Sequence, residues 1–133
     1  MIIIDSSVLI AYHNIEDQNH QKATELLDRV KSGKYGSAHI TDYIFDECVT
    51  VLSARIKNKE KSLAHCGKIK EFPIIKVDEE VFEEGWLIFK NQERLRLSFT
   101  DCTIIALIRK NIANVLATFD KDLASVPLIT VVN

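Results

Sequence analysis

The chain has 133 residues, 47% of them hydrophobic and 27% charged, with a formal net charge of −2. That apolar content excludes a disordered chain and supplies one core of ordinary domain size. No stretch approaches the roughly 20 apolar residues of a membrane span, and the small negative charge argues against a strongly basic nucleic-acid binder unless a cation neutralises the acids locally.

Ile2, Ile3 and Ile4 open the chain as a β-branched run and predict a short buried strand. No basic segment precedes them and Asp5 interrupts the apolar run, so the expected location is the cytoplasm. Ser7–Tyr12 predicts a short helix. Glu16–Lys31 predicts a longer one, with Ala23, Leu26, Leu27 and Val30 at three- and four-residue steps. A stop, a loop and a short strand near Ser37–His39 follow. Thr41–Asn58 predicts a helix with Ile44, Cys48, Val51, Leu52 and Ile56 on one face. Lys59–Lys70 continues as a more basic helix, and Pro73–Val77 reads as a strand. Asp78–Gln92 predicts a helix with Val81, Phe82, Trp86 and Phe89 turned inward, its first acids suiting the helix dipole. Ser98–Lys110 predicts another, with Ile104, Ile105 and Ile108 packed. Val115–Thr118 reads as a strand, Asp120–Ser125 as a helical turn, and the segment LITVV as a last strand.

This alternation, without an Asn-Gly hairpin signal, predicts one α/β domain over residues 1–133, with a mainly parallel sheet and helices on both faces. Such sheets bind ligands beyond the carboxyl ends of their strands, at a topological switch point. Asp5 and Asp120 both follow strands and stand at such ends. Cys48, Cys66 and Cys102 form no CxxC pair and read as reduced, packed thiols. His13, His20, His39 and His65 lack metal-ligand spacing, and there is no GxGxxG, Walker A or GxSxG sequence.

Four acids remain, each with two readings. Asp5 caps the following helix or holds a cation. Glu47 lies at the margin of an apolar helical stripe, whereas Asp42 and Asp46 read as solvent-facing. Asp101 stands three residues after Ser98, as in a capping box. Asp120 sits between a strand and a helical turn, another cap position. If the four converge, electrostatics demands a partner: two carboxylates about 5 Å apart at an effective dielectric of about 20 repel by ~3 kcal/mol. They would then protonate or bind metal, and an all-oxygen cluster suits Mg²⁺ or Mn²⁺.

The segments MIIIDSSVLIAY, TDYIFDECVTVL, LSFTDCTIIAL and VLATFDKDL together resemble the four sequence blocks of PIN-domain ribonucleases, in family order and over nearly the whole chain. More narrowly they resemble the VapC-type toxins of toxin–antitoxin pairs. The resemblance implies a PIN-like fold, with Asp5, Glu47, Asp101 and Asp120 as the acidic metal site. Ser6 and Thr118 would orient those carboxylates as supporting residues. It implies a Mg²⁺- or Mn²⁺-dependent endoribonuclease, in which one or two ions activate water for attack on an RNA phosphodiester. It also implies a cognate antitoxin and a homodimer. Lys57, Lys59, Lys61, Arg94 and Arg96 are candidate phosphate contacts. From about residue 57 to 92 no family motif is matched, and beside Glu47 stand Asp46 and, one turn earlier, Asp42.

Two other classes are weighed. The same fold with a non-catalytic acidic pocket would hold a structural metal or a basic peptide, and would show no turnover. A phosphotransfer domain on an α/β sheet fits less well. A haloacid-dehalogenase-like site needs a second Asp where Ser7 stands, and the set of acids and late Lys of a receiver domain is not found.

Overall fold

The computed structural model describes residues 1–94 and 96–133. Its elements run β1 (Ile2–Ile4), α1 (Ser6–His13), α2 (His20–Lys31), β2 (Ala38–Thr41), α3 (Asp42–Arg55), α4 (Lys59–Lys70), β3 (Ile74–Ile75), α5 (Glu79–Lys90), α6 (Phe99–Arg109), β4 (Val115–Ala117), α7 (Lys121–Ala124) and β5 (Thr130–Val132). The strands form one sheet in the order β3-β2-β1-β4-β5. Every pairing is parallel, with Ile2, Ile3 and Ile4 opposite Val115, Leu116 and Ala117. Strand order therefore reverses between β1 and β4, which makes the carboxyl ends of these two strands the switch point.

Successive strand side chains point to opposite faces. Ile2, Ile3 and Ile4 are nevertheless all fully buried, so both faces of the sheet are covered, as an all-parallel sheet requires. Leu9, Leu26, Ile44 and Leu52 from the first three helices join them in one core, with Ile104 and Ile105 from α6. Each fully buried side chain of this size contributes roughly 2 kcal/mol relative to exposure. No helix among the described residues is long and apolar enough to cross a membrane.

Polar residues set the helix boundaries. Thr41, Asn58 and Asp78 each accept a backbone N–H from three residues on, at 2.9–3.1 Å, capping α3, α4 and α5. Thr41 and Asn58 thus lie outside the helix expected over Thr41–Asn58, which ends at Arg55. The helix expected from Glu16 begins only at His20. Asn14 and Asp17 side chains accept the Glu16 and Asn19 amides instead and hold this segment in turns. The strand expected over Pro73–Val77 shrinks to two residues. Just after it, the Asp42 carboxylate accepts the Val77 amide at 3.1 Å and lies 3.6 Å from Lys76 Nζ. Asp42 is therefore a tether for the start of α5, and not the free surface charge expected.

The inward face of α5 also differs from expectation. Val81 and Gly85 are buried, whereas Phe82 and Trp86 are 41% and 46% exposed and Phe89 is half-buried. The stripe that packs is displaced by one residue from the aromatic one. Gly85 permits this: a Cβ there would stand 3.1 Å from Thr103 Cγ2, so its absence lets α5 lie close on α6.

Candidate functional site

Asp5 emerges from β1 with its amide still in the sheet, donating to Ala117 O at 2.9 Å. Its side chain is only 3% exposed, so its polar partners decide whether it is tolerated. Three donors meet Oδ2: Thr118 Oγ1 at 2.8 Å, Ser7 Oγ at 2.5 Å and Ser7 N at 3.4 Å. Oδ1 has a single protein donor, Ser6 Oγ, at 3.4 Å. One oxygen is thus anchored and the other lightly held.

Thr118, just past β4, is wholly buried and couples the two strand ends. Its hydroxyl donates to Asp5 and accepts the Asp120 amide at 3.0 Å. Ser7 adds a second link across the same gap, donating to Asp5 while accepting the Phe119 amide at 3.0 Å. Asp120 Oδ1 accepts the Leu123 amide at 2.9 Å and caps α7, and the residue itself is exposed. Asp101 completes a capping box: Ser98 donates to it through its amide at 2.7 Å and its hydroxyl at 2.8 Å, while the Asp101 amide donates back to Ser98 Oγ at 3.1 Å. Glu47, in the middle of α3, is half-buried.

Capping and site membership are therefore compatible. Asp5 and Asp101 by Oδ2 and Asp120 by Oδ1 accept helix-start amides, Asp5 and Asp101 taking local hydroxyls as well.

Glu47 and Asp101 each sense the charges of Asp5 and Asp120. Burial raises the Glu47 carboxyl above its usual range; the Ser6 hydroxyl opposes this, and the charges of Asp5, Asp120 and Asp46 add to it. Burial likewise pushes Asp101 up to about 6, opposed by the Ser98 hydrogen bonds and reinforced by Asp5 and Asp120. None of the four takes part in the ion pairs found among the described residues, which engage Asp28, Asp42, Asp122, Glu84 and Glu80. These four acids thus have no ion-pair partner among the described residues. They do not form a closed cage: among the described residues, no three His, Cys, Asp or Glu side chains are placed to share one ion as they stand.

Ser7 was not singled out in the sequence, where Ser6 took the supporting role beside Asp5. The signal was present, since both hydroxyls of Asp5-Ser6-Ser7 stand at a strand-to-helix turn. Which one faces β4 depends on where α1 begins, and it begins at Ser6 rather than Ser7. Arg96, a candidate phosphate contact, instead lies 3.5 Å from Asp122 on α7.

A five-stranded parallel α/β sheet with an acidic patch at its switch point defines a class of ligand-binding domain, and comparison with known proteins narrows it. The PIN domain family model matches residues 2–128. A VapC ribonuclease of Archaeoglobus fulgidus is 25% identical over 88 residues, which cover 66% of this chain and 56% of that relative. The match thus spans little more than half of that relative's length. Among solved structures, the Mycobacterium tuberculosis toxin VapC20, described as cleaving the sarcin-ricin loop, superposes with a TM-score of 0.80 at 22% identity, covering 98% of this chain and 99% of that one. VapBC2 of Rickettsia felis, bound to a DNA fragment from its promoter, gives 0.72 at 17% identity, covering 100% and 98%. FitAcB of Neisseria gonorrhoeae gives 0.69 at 17%, covering 100% and 97%. These structural likenesses are likenesses of fold. With the family model matched over nearly its whole length, the chain belongs to the PIN domain family.

Proposed function

We propose that this PIN domain is a Mg²⁺- or Mn²⁺-dependent endoribonuclease and the toxin of a toxin–antitoxin pair. The observation that carries the reading is that Thr118 ties Asp5 and Asp120 together at the switch point, with Glu47 and Asp101 near enough for the charges of both to raise their carboxyls. Such a group requires protons or a hard divalent ion. Burial, reinforced by the charges of Asp5 and Asp120, raises the proton affinities of Glu47 and Asp101.

Asp5, Glu47, Asp101 and Asp120 would hold the ion, directly or through water. When bound, it would activate water and shield the charge that develops on the phosphodiester oxygens. The chain's own residues supply the rest. Thr118 and Ser7 hold Asp5 by Oδ2 and leave Oδ1 to the more distant Ser6 hydroxyl. Ser98 holds Asp101 by Oδ2. The Thr118 hydroxyl sets the Asp120 amide, and with it the start of α7. Asp5 and Asp101 thus arrive prepositioned.

The VapC name of the A. fulgidus relative and the toxin and complex descriptions of the structural neighbours support RNA as substrate and an antitoxin as partner. A homodimer and a cytoplasmic setting complete the proposal. The alternative, a non-catalytic module whose pocket binds a metal or a basic peptide, draws on the lack of a closed three-ligand cage.

Cleavage separates the two. Purified protein and its Asp5→Asn and Asp101→Asn variants would be incubated with mixed tRNA and mRNA, in Mg²⁺, Mn²⁺ or EDTA. Discrete fragments that need both the metal and both carboxylates are expected. Silence in all conditions, with metal or peptide binding retained, would favour the module.

A further inference from the structure

Two histidines meet away from the carboxylates. His13 closes α1, and His65 stands in the middle of α4, 52 positions further along the chain. Their Nδ1 atoms lie 2.9 Å apart, and the rings meet edge to face with centroids at 5.0 Å. His13 is buried and His65 half-buried.

Like nitrogens at this distance share one proton: one neutral ring donates and the other accepts. Burial, with His65 and Lys68 nearby, lowers His13 to about 4, so its ring is uncharged at neutral pH. Moving the shared proton to an Nε2 keeps both rings neutral and frees both Nδ1 lone pairs. Two neutral imidazoles aimed at one point are the form in which histidine takes a metal ion.

The surroundings allow an ion to enter and to stay. His13 lines a cavity of about 550 Å³, which gives its ring a path to solvent. As the last residue of α1 it also stands at the negative end of the helix dipole, which favours a cation. Lys68 at the same cavity opposes a cation, and the exposed Glu71 beside it offsets Lys68. Zn²⁺ binds imidazole nitrogen at about 2.0–2.1 Å, which sets two tetrahedral ligands about 3.3 Å apart. The pair must therefore open by only a few tenths of an ångström. Helix α4 can give that much, since Ser62 and Ile69 alone are buried among its residues.

We propose that His13 and His65 form a cation site separate from the carboxylates, for Zn²⁺ or another late first-row divalent ion, with water in the remaining positions. No third His, Cys, Asp or Glu joins them among the described residues, so the site is open and two-ligand. Imidazole suits Zn²⁺, Cu²⁺ and Ni²⁺, whereas carboxylates suit Mg²⁺ and Mn²⁺, so the two sites sort ions by their donors. The ion would tie α4 to α1, whose first turn carries the Ser6 and Ser7 hydroxyls that reach Asp5. The site does not depend on the nuclease reading.

The test is calorimetric titration of Zn²⁺ at neutral pH into the full chain carrying Asp5→Asn, which takes the acidic site out of the count. His65→Gln and Cys66→Ser are each added to that background, with circular dichroism to confirm folding. Asp5→Asn and Asp5→Asn with Cys66→Ser should each bind one Zn²⁺ per chain. Adding His65→Gln should weaken binding about tenfold or more, since even the groups behind a metal ligand are worth that much. Zn²⁺ should raise the thermal midpoint of Asp5→Asn and leave that of the His65→Gln double variant unmoved. If His65→Gln folds poorly, the ring nitrogen resonances of Asp5→Asn decide: Zn²⁺ should shift those of His13 and His65 and leave those of His20 and His39. No Zn²⁺ uptake by Asp5→Asn, uptake unchanged by His65→Gln, uptake lost with Cys66→Ser, or unshifted His13 and His65 resonances would each overturn the proposal. Mn²⁺ binding to the wild type is a separate readout of the carboxylates, so failure at one site is distinguishable from failure at the other.

Discussion

The Thr118 hydroxyl donates to Asp5 Oδ2 at 2.8 Å, joining the ends of two strands whose residues are more than a hundred positions apart in the chain. The Thr118 hydroxyl oxygen in turn accepts the Asp120 amide, so one side chain sets two of the four acids. Thr118→Val keeps the shape and removes both bonds. It leaves a buried carboxylate short of a donor and should destabilise the protein by about 2 kcal/mol. Cleavage should fall further than the stability loss explains, as seen by comparing denaturant midpoints with initial rates.

Replacing Asp5 itself should separate folding from function. Three donors at Asp5 converge on Oδ2, which an Asn carbonyl reproduces, while the amide takes the place of Oδ1. Asp5→Asn should fold with a thermal midpoint at or above that of the wild type, and lose cleavage. Asp5→Ala removes the acceptor as well and should lower stability by about 2 kcal/mol. Melting curves of the two variants check this.

Two buried groups give the metal-free protein opposite responses to acid. Asp101, raised from 3.8 to about 6, binds its proton more tightly when folded. Its contribution is present below about pH 4 and is lost as pH rises through about 6. Asp101→Asn should abolish that loss, so the variant gains stability relative to wild type on going from pH 4 to 7. Divalent-ion affinity should rise over the same window, because the ion displaces the proton.

His13 works the other way. It is 8% exposed, and burial, with His65 and Lys68 nearby, lowers it from 6.5 to about 4. Its Nδ1 lies 2.9 Å from that of His65, so one ring donates and the other accepts. The stability it contributes at neutral pH is lost as pH falls from about 6.5 towards 4. His13→Gln should flatten that part of the unfolding profile, measured by denaturation at several pH values.

Gly85 predicts a packing effect remote from the acids. Gly85→Leu places a side chain where Thr103 Cγ2 stands 3.1 Å from the first added carbon and the Thr103 backbone 3.4 Å. Overpacking there should cost about 2 kcal/mol. Urea denaturation would show it, and hydrogen exchange would locate the loosening in α5 and α6.

Much of this arrangement is legible in the sequence because acids and hydroxyls at strand ends have few other uses. Asp5 and Asp120 follow apolar runs, and Ser98 with Asp101 has capping-box spacing, so the strands and the helix starts can be placed from residue types alone. What stays hidden depends on rotation about a helix axis. Phe82 and Trp86 look like core residues, yet the buried stripe is Val81 and Gly85, because a glycine carries no hydrophobic signal and buries by being small. Ser7 was passed over for the same kind of reason: a shift of one residue in the start of α1 decides which hydroxyl crosses to β4. That the charges of Asp5 and Asp120 act on Glu47 depends on tertiary packing, which no local pattern of α3 carries.

The central claim is that these carboxylates form a divalent-cation site anchored by Asp5. A calorimetric titration of Mn²⁺ into the wild type and Asp5→Asn at neutral pH tests it most directly. Binding in the wild type, lost in a folded Asp5→Asn variant, is the predicted result. A wild type that takes up no Mn²⁺, or an Asp5→Asn variant that binds it equally well, would contradict the claim and return Asp5 to the role of a helix cap.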